Sequence, residues 1–171
     1  MFHSKMKGNV FERKVAKMLG AYFYNEPNAL IRTATSGASG TIGDVTICEK
    51  VFPDLFEKTR PVREKHPGGR FPFVIENKHH KDVNIAKFIF EDGGFLRGVW
   101  DKTEGEALKS NKMPILIVKS NRSPIYMILD LKTVDYLNID LSQCYPFCRT
   151  PSTNIVLDFE KVIDKKEGIL L

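Results

Sequence analysis

The chain has 171 residues and a mass of 19.5 kDa, is 42% hydrophobic, and carries 26 Lys and Arg against 21 Asp and Glu, for a formal charge of +5. That length supports one core of ordinary size, so residues 1–171 are expected to form a single domain. No run of eighteen uncharged apolar residues occurs, and the basic start "MFHSKMKGNVFERK" lacks the apolar centre of a signal peptide, so neither a membrane span nor secretion is expected and the reading is cytoplasmic.

Three cysteines, Cys48, Cys144 and Cys148, are an odd number without a disulfide framework, as suits a reducing compartment. Cys144 and Cys148 have half the spacing of a zinc site, but no second pair follows, and ordinary thiols are the better reading. The net positive charge permits a nucleic-acid partner without requiring one. Its arrangement says more: Lys5, Lys7, Arg13, Lys14 and Lys17 crowd the start, and "KHHK" occupies 78–81.

In chain order, Phe11, Val15, Met18, Leu19 and Tyr22 recur at helical spacing, predicting an amphipathic helix from Asn9, a possible N-cap, to about Tyr22. Glu12 flanks its apolar stripe. "NALIRTA" reads as a short strand, the Gly/Ser run "SGASGTIG" as a turn, and "DVTIC" as a second strand. Residues 49–70 are charged and rich in Pro and Gly, and read as an insertion. "FPFVIENK" is an apolar run ending in charge, as in a central strand whose far end reaches the surface. "FIFEDGGFLRGVWDKTEGEALKSNK" is helical in pattern, with breaks expected at Gly93-Gly94 and Gly98, and its Trp100 is expected in the core. "MPILIVKS" and "PIYMILDL" are two strands joined at "NRS", and "TNIVLDFEKVIDKK" adds a strand and a short helix. A helix followed by interspersed strands and helices predicts an α/β or α+β sheet covered by helices.

Asp44 opens one strand and Glu76 ends its expected neighbour, which would bring two hard oxygen donors to one Mg²⁺ or Mn²⁺. Lys78 lies two residues past Glu76, so strand alternation aims both side chains at one face. Asn77 points the other way, while its backbone carbonyl remains available as a further ligand. Two acids, an ion and an ammonium suit metal-assisted phosphodiester hydrolysis. Glu12 would be a third carboxylate. The Gly/Ser turn before Asp44 would let a phosphate backbone approach, with Ser36 and Ser39 as donors. Taken singly, Gly-Asp is usually a turn and Glu-x-Lys a surface ion pair; the combination and order carry the reading.

"FERKVAKMLG", "IRTATSGASGTIGDVTI" and "FVIENKHHKDV" together resemble the PD-(D/E)XK nuclease superfamily, and within it the archaeal-type Holliday junction resolvases and related phage endonucleases. The likeness covers about residues 8–119. It implies a restriction-endonuclease-like α/β fold, a central mixed β-sheet flanked by helices, and a catalytic set of Glu12, Asp44, Glu76 and Lys78. Metal would be held by Asp44, Glu76 and the Asn77 carbonyl. DNA would be contacted by Arg32, Ser36, Ser39, His79, His80, Lys81 and Lys102, the last standing where relatives often carry glutamine. The implied activity is Mg²⁺-dependent cleavage of branched DNA by a homodimer; nucleases of the same fold acting on duplex, nicked or flap DNA, and a non-catalytic DNA-binding module, are the alternatives. The superfamily's proline is absent before Asp44, and a literal Pro53-Asp54 makes Asp54 a rival, less favoured because it lies within the insertion.

Overall fold

Helix α1 (Phe2–Tyr24) opens the fold. The structure, a computed structural model, describes residues 2–33, 43–48, 50–51, 71–81, 83–142, 148–150 and 152–164, without the side chains of 2–5, 148 and 149. Ser36, Ser39, Asp54, Cys144 and nearly all of the expected insertion lie outside the described residues. Val15, Leu19 and Phe23, at a four-residue spacing, are fully buried and form the inward stripe of α1. The helix starts seven residues before the expected cap at Asn9, which lies inside it. The preceding segment contains no proline, so nothing in the backbone forces a stop there.

Strands β1 (Leu30–Arg32) and β2 (Val45–Ile47) form an antiparallel pair with Leu30 opposite Ile47 and Arg32 opposite Val45. Next comes β3 (Phe73–His79), then α2 (Ile85–Glu91) and α3 (Phe95–Ser110), which carry the chain across to β4 (Met113–Lys119). β3 and β4 are parallel, with Glu76 opposite Leu116 and Lys78 opposite Val118. Such a crossover is what a helical connection between parallel strands provides. The helical run breaks at Gly93-Gly94 as expected, closed by Asp92 in a left-handed cap with φ 50°. Gly98 does not break it and lies within α3.

β5 (Ile125–Leu129) returns antiparallel to β4, as the "NRS" turn predicts. Asp130 then caps the short helix α4 (Leu131–Tyr136), its side chain accepting from Thr133 N at 2.7 Å. That cap ends the strand two residues before the sequence pattern suggests. β6 (Cys148–Arg149), β7 (Ile155–Asp158) and α5 (Phe159–Asp164) complete the described chain.

The main sheet has the order β3-β4-β5-β7-β6, with every pair except β3 and β4 antiparallel. Alternation divides its side chains between two cores. Ile75, Ile115, Ile117 and Leu157 pack with α1, α4 and α5 on one face. Leu116, Val118, Ile128 and Val156 pack with Phe88, Leu96 and the fully buried Trp100 of α2 and α3 on the other. This is a mixed α/β sheet flanked by helices, the architecture expected of a restriction-endonuclease-like fold. No helix among the described residues is long and apolar enough to cross a membrane.

Candidate active site

The site begins where β2 meets the free edge of β3. Gly43 has φ +81°, and a Cβ there would stand 3.0 Å from the Ile75 carbonyl oxygen and 3.1 Å from its nitrogen. Only glycine lets the chain enter so close to β3 in that conformation. The glycine before the acid therefore serves the strand contact, whereas the sequence suggested room for a phosphate backbone.

Asp44 is then held from three sides. Its N–H donates to the Ile75 carbonyl at 2.7 Å, its carbonyl accepts from Thr33 N at 2.9 Å, and its Oδ2 accepts from Asn77 N at 2.8 Å. The last bond is charge-assisted and fixes the carboxylate against the β3 edge. Within a strand a residue's N–H and C=O face the same side, so the Asn77 carbonyl is turned toward the edge that carries Asp44.

Glu76 and Lys78 point to the α3 face of the sheet, and Lys78 Nζ donates to Glu76 Oε1. Asp44 and Glu76 are 6% and 7% exposed, a burial that two acids tolerate only with compensation. Burial first, and then the charge of Asp44, push the Glu76 carboxyl above its ordinary range, although Lys78 and Lys102 pull it down. For Lys78, burial pulls the ammonium down, but the hydrogen bond from Lys78 to Glu76 and the charges of Glu76, Asp44 and Glu12 outweigh it, leaving its pKa above the ordinary value. Four of the expected residues thus share one electrostatic neighbourhood, with Lys102 facing it from α3.

Glu12 approaches from α1 but is engaged by Arg32, whose Nε donates to Glu12 Oε2. Among the described residues, no three His, Cys, Asp or Glu side chains are grouped to hold a metal ion. The hard oxygens present at this edge, of the kind that suits Mg²⁺ or Mn²⁺, are those of Asp44, Glu76 and the Asn77 carbonyl, with Glu76 paired to Lys78. Glu12 stands behind it with its own partner.

Of the residues expected on DNA, His80 and Lys81 are exposed beyond the end of β3, and Lys102 is exposed on α3, 3.6 Å from Glu106. His79 faces the other way, its ring 5.4 Å from that of Phe11, with Nδ1 buried and unpaired. Strand alternation separates it from Lys78, so it does not join the acids. The sequence reading passed over Thr33, which is 5% exposed, with a hydroxyl lacking any hydrogen-bond partner. It lies opposite Asp44 in the β1–β2 pair, and no sequence signal marks it.

The raised Glu76 pKa has a definite consequence. The folded protein holds a proton on Glu76 at pH values where the unfolded chain has lost it, so this group's stability contribution is largest below the unfolded pKa and declines as pH rises to the folded one. Glu76→Gln removes that decline. In EDTA at neutral pH the variant should melt at a higher temperature than wild type, and Mg²⁺ should raise the melting temperature of wild type alone. A lower melting temperature for the variant in EDTA would mean that the Lys78 pair outweighs the burial and repulsion.

The protein-family model described as phage putative PDDEXK endonuclease matches residues 3–165. No curated protein and no solved structure matches the chain. The family match runs from the first turn of α1 through α5, including all four acid and lysine positions of the site. On that match the chain belongs to this family of phage PD-(D/E)XK endonucleases.

Proposed function

We propose that this nuclease is a Mg²⁺-dependent endodeoxyribonuclease that cuts four-way DNA junctions as a homodimer, with Mn²⁺ able to substitute. The observation that carries the metal-dependent part is the pair of buried acids, Asp44 and Glu76, beside Lys78 at the β2–β3 contact. Asp44, Glu76 and the Asn77 carbonyl would hold the ion. When bound, the ion supplies polarisation of a phosphoryl oxygen and a water of lowered pKa. Lys78, one-third exposed, orients the attacking water and offsets charge that develops on the phosphate. Arg32 restrains Glu12 and offers its guanidinium to a phosphate at the same edge. Lys81, His80 and Lys102 bound the approach to this site on the β3 and α3 sides.

The junction preference is supported by the sequence resemblance to archaeal-type Holliday junction resolvases. A four-way junction has two-fold symmetry, so paired cuts call for two sites related by a two-fold axis, hence the dimer. Contacts to phosphates rather than base edges would dominate affinity, which should fall as salt rises.

Cleavage of a labelled four-way junction beside its linear duplex arms, in Mg²⁺ and in EDTA, tests the proposal. Paired cuts in the junction alone, absent in EDTA, are expected. Equal cutting of the duplex arms would discard junction selectivity and leave a duplex nuclease. Binding without cutting in any divalent ion would indicate a non-catalytic module.

A further inference from the structure

Two phenylalanines at the α2–α3 elbow are strongly exposed: Phe90 at 75% and Phe95 at 60%. Single exposed apolar residues are commonplace, but two large aromatic rings flanking one elbow are a feature to explain. Their position relates them to the acids. Glu76, Lys78 and His80 lie on one face by strand alternation, and the Phe95 ring lies 6.0 Å from that of His80. Two residues of strand span about 7 Å, so His80 lies about two phosphate spacings along from Lys78, with the Phe95 ring next to it. Lys102 sits two helical turns beyond Phe95 on the same side of α3, and its charge reaches Glu76. α3 therefore runs back along β3 from the phenylalanine toward the acids.

The elbow is also held rigidly. Arg97 bonds Asp92 at 2.9 Å and Ser152 Oγ at 2.8 Å, and pairs with Asp101 at 2.6 Å; Ser152 Oγ in turn donates to Asp92 at 2.8 Å. These contacts tie the helix junction to the segment before β7. Exposed rings on a fixed support lose little freedom when a flat partner stacks on them.

Resting on the nuclease reading, we propose that Phe95, with Phe90 across the elbow, is a stacking platform for unstacked bases of the bound DNA strand, within a few nucleotides of the cleavage position. The occupant is nucleic acid rather than a second copy of the chain because the Phe95 ring continues, through His80, the line of Glu76 and Lys78, and the positive charge of Lys102 on the same helix reaches Glu76. Aromatic rings hold unpaired bases without sequence preference, and apolar side chains of this kind also prise base steps apart.

The test measures binding of a four-way junction and of a single strand in EDTA by wild type, Phe90→Ala/Phe95→Ala and Phe95→Trp, together with particle mass by light scattering and melting temperature. The double variant should bind about 5- to 150-fold more weakly, with an unchanged salt slope, mass and melting temperature. Phe95→Trp should bind as wild type or tighter. Equal binding by the double variant overturns the platform and leaves the nuclease standing. Loss of binding together with a halved mass overturns it in favour of a self-association surface. If wild type binds neither DNA, the nuclease reading falls and the platform with it.

Discussion

Asp44→Asn is expected to reduce Mg²⁺-dependent cleavage by at least about 10³-fold while leaving the fold intact. The asparagine is nearly isosteric and can present its amide oxygen to Asn77 N, preserving the bond that now runs to Oδ2 at 2.8 Å. The backbone bonds from Asp44 N to Ile75 and from Thr33 N to Asp44 do not involve the side chain at all. What is lost, on the proposed metal-dependent mechanism, is one of two anionic donors to the ion. Removing it also relieves the repulsion that raises Glu76, so the melting temperature in EDTA should hold or rise. The response to Mg²⁺ should vanish with activity. Asp54→Asn serves as the companion variant and should cleave normally. Reversal of the two results, activity kept in Asp44→Asn and lost in Asp54→Asn, would move the metal aspartate into the segment between β2 and β3.

Gly43→Ala should be nearly as damaging to cleavage, although it adds one methyl group and touches no charge. The new Cβ would lie 3.0 and 3.1 Å from backbone atoms of Ile75, and backbone in a sheet has little room to yield. The positive φ adds a cost of about 1–2 kcal/mol for any residue with a side chain. Relief comes by moving the start of β2 away from β3, which carries Asp44 away from Asn77 N and from Glu76. A displacement near 1 Å costs about 10²-fold in rate, and the lost stability should lower the melting temperature by about 2–8 °C. Gly105→Ala is the control: nothing lies within 4 Å of its added methyl group, and alanine favours the helix, so it should melt slightly higher and cleave unchanged. A Gly43→Ala enzyme with full activity would mean that Asp44 is not positioned through this contact.

Both predictions turn on the same narrow contact, and that contact explains why the acid follows a glycine here rather than the superfamily's proline. Proline fixes φ near −65°, whereas this position requires φ +81°. A proline at 43 would also be unable to take the present backbone path against Ile75.

Much of this was legible in the sequence because it depends on local pattern. The apolar period of Phe11, Val15, Leu19 and Tyr22, the continuous run of β3, the Gly93-Gly94 break and the turn at "NRS" each express a rule that acts over a few residues. The order of acids along the chain likewise put Asp44, Glu76 and Lys78 together before any coordinates did. The beginning of α1 was not legible, since Met6 and Val10, the described apolar residues of its early turns, are exposed and set up no inward period. α4 was missed because six residues are too few for periodicity; Asp130 was the sole signal, and it sat at the end of an apolar strand pattern. β6 is too short to have a pattern of its own and exists by pairing with β7.

What the sequence determined by itself was the set and order of residue types, two carboxylates and an amine, on which the proposed metal and phosphate chemistry rests. Tertiary structure alone decided which groups stand free to act. It tied Glu12 to Arg32, turned His79 against Phe11, and made Gly43 answer to Ile75 rather than to substrate. It also brought Phe95 of α3 to the end of β3, a contact between residues fifteen positions apart in sequence. The physical reason is that residue type and strand alternation fix which way a side chain points, while partners depend on which elements pack together, and packing is settled by the two cores on either side of the sheet.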